Sequence, residues 1–335
     1  MRPMPSAPPA PPAPGPGPLR RLALLALSAT LSAVVIAALL ATVELPVEAI
    51  LEAVKRADRR LLLAAVLVSL LCQLIGGADK LRRVVLAVGG DLTLRTALAM
   101  RLGAGPLRLA TPFKSGGAAN VLFLRNHAGL TLAGGAGCLA FDRGLNLVGL
   151  LFWMLIGVLS LGAGRSLGLL LALALTALLL VFLIADLHHR MTRLAGLLHP
   201  RLGSLVGDLL APFAQVDALT RLGLLCYGLL FQSVPSLVAW LLFAAVGAPL
   251  GLAEVFAFVN TAMLVAQIPG PLAGIGLREA SLVALVGHRA PEEAVLAAGL
   301  LLSLTLSVLP LLIGLPLLPW YLHRLAPAEQ DARDQ

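Results

Sequence analysis

From Leu22 to Val43 the chain carries no charged residue, and the same holds from Gly144 to Gly164, Ser166 to Ala185, Leu222 to Ala248 and Ala294 to Leu318. About 18 uncharged, apolar residues are enough for a helix to cross a hydrocarbon core about 30 Å thick. A helix also satisfies its own backbone N–H and C=O groups, which lipid cannot do. A shorter apolar run, Leu61 to Gly77, ends in a cluster of Asp79, Lys80, Arg82 and Arg83. These runs predict an all-α integral membrane protein with six crossings. The composition agrees: 13% of residues are charged, against about 25% in a soluble domain.

The net charge of +8 excludes little until its distribution is read. No basic stretch is interleaved with aromatic residues, so a nucleic-acid partner is not expected. Lysine and arginine collect instead in the loops that face the cytoplasm of membrane proteins. With six crossings and both termini cytoplasmic, the inner segments hold eighteen of the 25 basic residues. Residues 44–60 carry four more basic residues together with four acids. Their apolar positions, Val47, Ile50, Leu51 and Val54, recur at helical spacing, as in a helix lying along the membrane surface. Residues 186–221 combine basic residues and histidines with helically spaced apolar ones. They are expected to form amphipathic helices on the cytoplasmic side.

The cysteines Cys72, Cys138 and Cys226 are scattered in apolar sequence and form no disulfide framework. His188 and His189 are adjacent and lack the i, i+4 spacing of a helical metal pair. No metal and no organic cofactor is expected. Residues 1–19 form a Pro-rich tail and residues 324–335 a second tail, with one membrane domain over 20–323.

Two apolar segments within that domain are interrupted. Aligning Pro112 with Pro269 also aligns Gly117 with Gly274, and Gly129 and Gly287 follow in each copy at nearly the same distance. The two regions, about 91–164 and 250–318, read as an internal repeat. Three expected crossings lie between the broken segments, so the second copy is inverted relative to the first. Apolar segments broken by Pro and Gly are expected as re-entrant broken helices, because non-helical backbone at membrane depth must be buried in protein or line a watery cavity. Paired broken segments in inverted halves mark the substrate sites of transporters.

The second break reads IPGPLAGIGLREA, from Ile268 to Ala280. Pro269 ends the arriving helix, Gly274 and Gly276 permit a tight turn, and a new helix starts near Gly276. The free N–H groups and positive dipole end of such a helix attract anions. Arg278 adds a full charge with bidentate geometry, and Glu279 is placed to orient it or to carry a proton. The first copy offers Lys114, Asn120 and Arg125 around its own break, then Asp142 and Arg143 at the start of a span. Ionisable residues beside intramembrane turns are candidate functional residues. These ten form the candidate substrate-binding set, and no catalytic constellation accompanies them.

At these residues the chain resembles the lysylphosphatidylglycerol synthase transmembrane region, also called the flippase-like family. The resemblance rests on Pro112, Gly116 and Gly117, on the Asp142–Arg143 pair, and above all on Pro269, Gly274, Gly276, Arg278 and Glu279. It spans roughly residues 20–323. Lys114-Ser115 departs from the family's early block, where an acidic or arginine-containing continuation is common. The resemblance implies a multi-pass protein of the bacterial-type inner (cell) membrane that binds and translocates a phospholipid or lipid-linked head group. With the chain ending eleven residues beyond Arg324, the soluble aminoacyl-transferase domain of the full-length synthase is expected to be absent, and the protein is expected not to be an enzyme. Alternative readings are a non-catalytic membrane partner whose 186–221 segment docks a cytoplasmic enzyme, or an intramembrane lipid transferase using Glu279 or Asp142 as base.

Overall fold

The computed structural model describes residues 47–110, 117–162, 165–183, 192–197, 199–214, 216–267 and 276–325. The expected crossing from Leu22 to Val43, both tails, His188 and His189 lie outside these residues. Among the described residues all regular structure is helical. In chain order the helices are α1 (Val47–Arg56), α2 (Arg59–Ala87), α3 (Leu94–Ala110), α4 (Gly117–Ala128), α5 (Leu132–Ser160) and α6 (Arg165–Leu183). After a short turn of helix at 192–197 come α7 (Pro200–Ala214), α8 (Ala218–Ala245), α9 (Leu252–Val265), α10 (Leu277–Val286) and α11 (Glu292–Arg324).

Four of these, α2, α5, α8 and α11, are long and apolar enough to cross a membrane. They match four of the six expected crossings. A fifth corresponds to α6, whose apolar stretch Ser166–Leu179 is shorter than a full span. The protein is an all-α integral membrane protein.

Two expected boundaries are corrected. The charged cluster after Gly77 does not end the first described span, because α2 continues through Asp79, Lys80, Arg82 and Arg83 to Ala87. Asp79 accepts hydrogen bonds from Arg82 and Arg83 on its own helix, and Lys80 turns inward, so the charges are accommodated without a loop. Likewise α5 starts at Leu132, where the Thr131 hydroxyl accepts the Gly134 N–H at 3.0 Å. Asp142 and Arg143 therefore sit well inside the span rather than at its start.

Helix starts elsewhere are also capped by side chains: Asp58 accepts from Arg60 and Leu61 at α2, and Asp217 from Thr220 at α8. Each such cap satisfies a backbone donor that the helix leaves open. The two hydrogen bonds that Thr220 donates, from its N–H and its hydroxyl, hold the exposed Asp217 carboxyl below its ordinary range.

In each of the two interrupted regions a pair of described helices flanks the expected break: α3 and α4 the first, α9 and α10 the second. The breaks themselves, residues 111–116 and 268–275, lie outside the described residues, and with them Pro112, Lys114, Gly116, Pro269 and Gly274. α4 packs on α5 and α10 packs on α11, the long helix that follows each. The arriving helices cross over instead: α3 packs on the later part of α11, and α9 packs on α5.

Both crossings depend on a glycine. A Cβ at Gly314 of α11 would stand 2.1 Å from the Leu102 carbonyl oxygen of α3. A Cβ at Gly157 of α5 would stand 2.3 Å from the Ala257 nitrogen of α9. These glycines are separated in sequence by the same interval as Pro112 and Pro269. The reciprocal packing is what two copies of one unit would produce.

The core follows these contacts. One apolar cluster joins α2 to α5 and extends to α7, where Phe213 stacks on Phe141 with ring centroids 4.2 Å apart. A second joins α8, α9, α10 and α11. α1 lies along α11, with Ala53 and Val54 against Leu296 and Ala297. Between the two clusters the interior is polar.

Candidate functional site

α5 and α8 meet at a close crossing, where a Cβ on Gly149 would stand 2.5 Å from the Gln232 Cβ. That approach brings Asn146 of α5 and Gln232 of α8 to one wall of a cavity of about 180 Å³. Gln73 of α2 and Gln267, just beyond α9, add two more amides. Arg101 of α3 and Arg278 of α10 bring two guanidinium groups. Leu150, Phe231, Pro235, Met263, Ala266 and Leu306 close the remainder. The broken-helix units thus contribute one arginine each to the same space. A cavity of about 150 Å³ is already large enough for a benzene-sized ligand.

Arg278 stands in the first turn of α10 and is 7% exposed. Its Nε lies 3.5 Å from Glu279 Oε1, and its Nη2 donates to the Ser303 hydroxyl of α11. Ser303 in turn donates to Glu279 Oε1. Glu279 is fully buried, and its other oxygen accepts the Gly276 N–H at 2.6 Å. Gly276 has φ +96°, a left-handed conformation that suits glycine. Glu279 therefore caps the helix from within, so part of the helix end that the sequence reserved for an anion is already occupied by a carboxylate. Gly299 of α11 leaves the space it fills: a Cβ there would lie 3.3 Å from Glu279 Cγ.

Beside Asn146 and Phe231 lies a second ion pair. Lys80 of α2 is fully buried, with Nζ 3.0 Å from Asp142 Oδ1 and 3.2 Å from the Asp142 carbonyl oxygen, to which it donates. It donates also to Asn146 Oδ1 and lies 5.0 Å from the centre of the Phe231 ring. Asn146 and Phe231 both line the cavity, so Lys80 is separated from it by a single layer of side chains.

The structure brings Arg278 to the cavity wall, with Glu279 and Gly276 bonded to each other beside it, and pairs Asp142 with the buried Lys80. Arg143 is exposed and is not among the lining residues. Asn120 is buried elsewhere and accepts the Tyr321 hydroxyl at 2.7 Å. Arg125 is exposed on α4 and donates to its neighbour Asn126. Asn120 thereby ties α4 to the end of α11, and neither residue is among those that line the cavity. Lys114, Pro269 and Gly274 lie outside the described residues.

Sequence reading missed Lys80, which it placed in a loop, and Arg101, which it treated as a mere interruption. It also missed the four amides. A lone amide or arginine inside an apolar helix is itself a signal, because polar groups at membrane depth face the protein interior.

No curated protein matches this chain. Over residues 25–314 it matches the family described as the lysylphosphatidylglycerol synthase TM region, which covers the whole of the cavity and both broken-helix units. The chain belongs to the lysylphosphatidylglycerol synthase TM region family, membrane proteins related to lipid handling.

Proposed function

We propose that this protein binds the anionic head group of a phospholipid or lipid-linked substrate in the central cavity and carries it between the leaflets of a bacterial-type inner membrane. The observation that supports this reading is the convergence of Arg101 and Arg278 on a polar cavity inside an otherwise apolar bundle. Guanidinium forks match phosphate oxygens in geometry and charge. In the low-dielectric interior their attraction for an anion exceeds what the same groups would exert in water.

The reading is of a carrier rather than an enzyme. Both termini are cytoplasmic in this scheme, following the distribution of lysine and arginine. The two broken-helix units, inverted relative to each other, would open the cavity to either leaflet in turn.

The test is leaflet exchange of fluorescent lipids in proteoliposomes, comparing the wild type with Arg278→Ala at matched protein density. Anionic lipid is expected to exchange faster than zwitterionic lipid, and the variant is expected to lose about tenfold or more, the worth of one charge-assisted hydrogen bond. Equal exchange in the two proteins would remove Arg278 from the mechanism. Absence of exchange in the wild type would sink the carrier reading.

A further inference from the structure

We propose that the cavity opens sideways at the seam between α2 and α11, where a hydrogen bond from Ser69 to the Thr305 carbonyl latches two wide helical turns together. The proposal deepens the carrier reading and rests on it.

Both helices leave α geometry where they face each other. α2 widens into π-type turns over Ser69–Gly76, and α11 over Leu304–Val308. Such turns close their hydrogen bonds over five residues instead of four, and they recur at functional sites within helices. Each contributes a residue to the cavity wall, Gln73 from α2 and Leu306 from α11. Among the described residues the two helices meet chiefly at these turns, while both also pack against α8.

The bond between them follows from the sequence of α11. The Leu309 N–H, which an α-helix would give to Thr305, goes to Leu304 instead. A π turn would offer Thr305 the N–H of residue 310, but that residue is proline and has none. The Thr305 carbonyl is thus passed over by the donors of its own helix, at a residue only 3% exposed. A buried carbonyl left without a donor is costly. The Ser69 hydroxyl, fully buried on α2, donates to it at 3.2 Å. The third wide turn, Val255–Val259 of α9, is served differently: Asn260 of the same helix donates to the Phe256 carbonyl at 2.9 Å.

A carbonyl that its own helix leaves open can be released and retaken without unwinding that helix. Prolines and π turns are also the places where helices bend, and α11 carries both over residues 304–310. When the latch parts, the two bends let α2 and α11 swing apart while each stays packed on α8. The opening runs from Gln73 and Leu306 on the cavity wall toward Leu71 and Leu304, which are exposed and apolar. Such a rim suits acyl chains that stay in lipid while a head group enters.

Hydrogen–deuterium exchange of the full chain in detergent reads the seam without transport. Ser69→Ala is expected to raise uptake about 2- to 10-fold, the worth of one neutral hydrogen bond, over 69–76 and 304–309 together. Pro310→Ala restores an N–H within reach of the Thr305 carbonyl. Uptake over 304–309 is then expected to fall, while that over 69–76 rises because Ser69 loses its acceptor. A mere loss of packing would move both stretches the same way in both variants.

Leaflet exchange is measured next with Ser69→Cys and Thr305→Cys combined, in a protein whose Cys72, Cys138 and Cys226 are replaced by serine. The pair is closed by oxidation, or by a short bis-maleimide if no disulfide forms, and the link is confirmed by mass spectrometry. Lipid exchange is expected to stop in the linked protein, and to return on reduction of the disulfide. Uptake that rises at one turn alone in Ser69→Ala, or undiminished lipid exchange in the linked protein, would overturn the proposal. Paired uptake changes in a wild type that exchanges no lipid would uphold the latched seam while sinking the carrier reading.

Discussion

Lys80 and Asp142 reach each other from different helices, 62 residues apart in sequence, whereas Arg278 and Glu279 are neighbours on one helix. Both pairs are buried beside the same cavity, but they are oriented in opposite senses. In the first the cation is sealed at 0% exposure and its partner's side chain retains 11%. In the second the carboxylate is sealed at 0%, and the arginine keeps 9% and faces the cavity. A pair that links two helices holds the bundle together and has no donors left for a ligand. The second pair is formed within one helical turn and reaches α11 through the Ser303 hydroxyl, while its cation lines the cavity.

That contrast can be broken most directly at Lys80. Lys80→Met strands the Asp142 carboxylate, and breaking a buried pair in this way costs about 3–5 kcal/mol. Thermal unfolding in detergent should show it as the largest loss of any single substitution at the two pairs. Adding Asp142→Leu should recover most of it, since an apolar pair removes the stranded charge.

Gly314→Ala is expected next. It forces a methyl group against the α3 backbone, at about 1–3 kcal/mol for overpacking. It should weaken both pairs equally if they share one bundle, and uneven effects would separate the halves. Arg278→Gln should be milder than Lys80→Met in the same unfolding assay, because Glu279 keeps its bonds to Gly276 and Ser303. Losses as severe as those of Lys80→Met would mean that both pairs are struts, and the distinction would fail.

The smallest effect is expected from Ser303→Ala, which removes one hydroxyl shared by Arg278 and Glu279. A loss of about 1 kcal/mol is the ordinary worth of such a bond, read as a small shift of the unfolding midpoint.

The solvent and the helical class were legible in the sequence because each follows from local composition. Uncharged runs report the membrane, and Pro with Gly reports where a helix stops. Arg278 and Glu279 were legible for the same reason: they stand beside a break. Lys80 was not, because a charged cluster following an apolar run looks like the end of a span. Only the fold shows that α5 supplies Asp142 and Asn146 to receive it. Arg101, Gln73, Asn146, Gln232 and Gln267 come from five separate stretches of chain, and no local spacing connects them. Their convergence is a product of helix crossings such as that at Gly149, where a missing side chain sets the distance between α5 and α8. Asn120 illustrates the reverse case: adjacent to a break, yet directed by its helix toward Tyr321.

The crossings at Gly157 and Gly314 also bear on how such a bundle could move. Interlocking side chains resist sliding, since each step must lift a knob out of its hole. Here backbone rests on backbone at both places, with no knob to lift. Each long helix is thus mounted on the opposite unit at a smooth bearing, free to swivel about one point but held fast along its normal. In the proposed carrier, rocking one unit would carry the other with it through these two crossings.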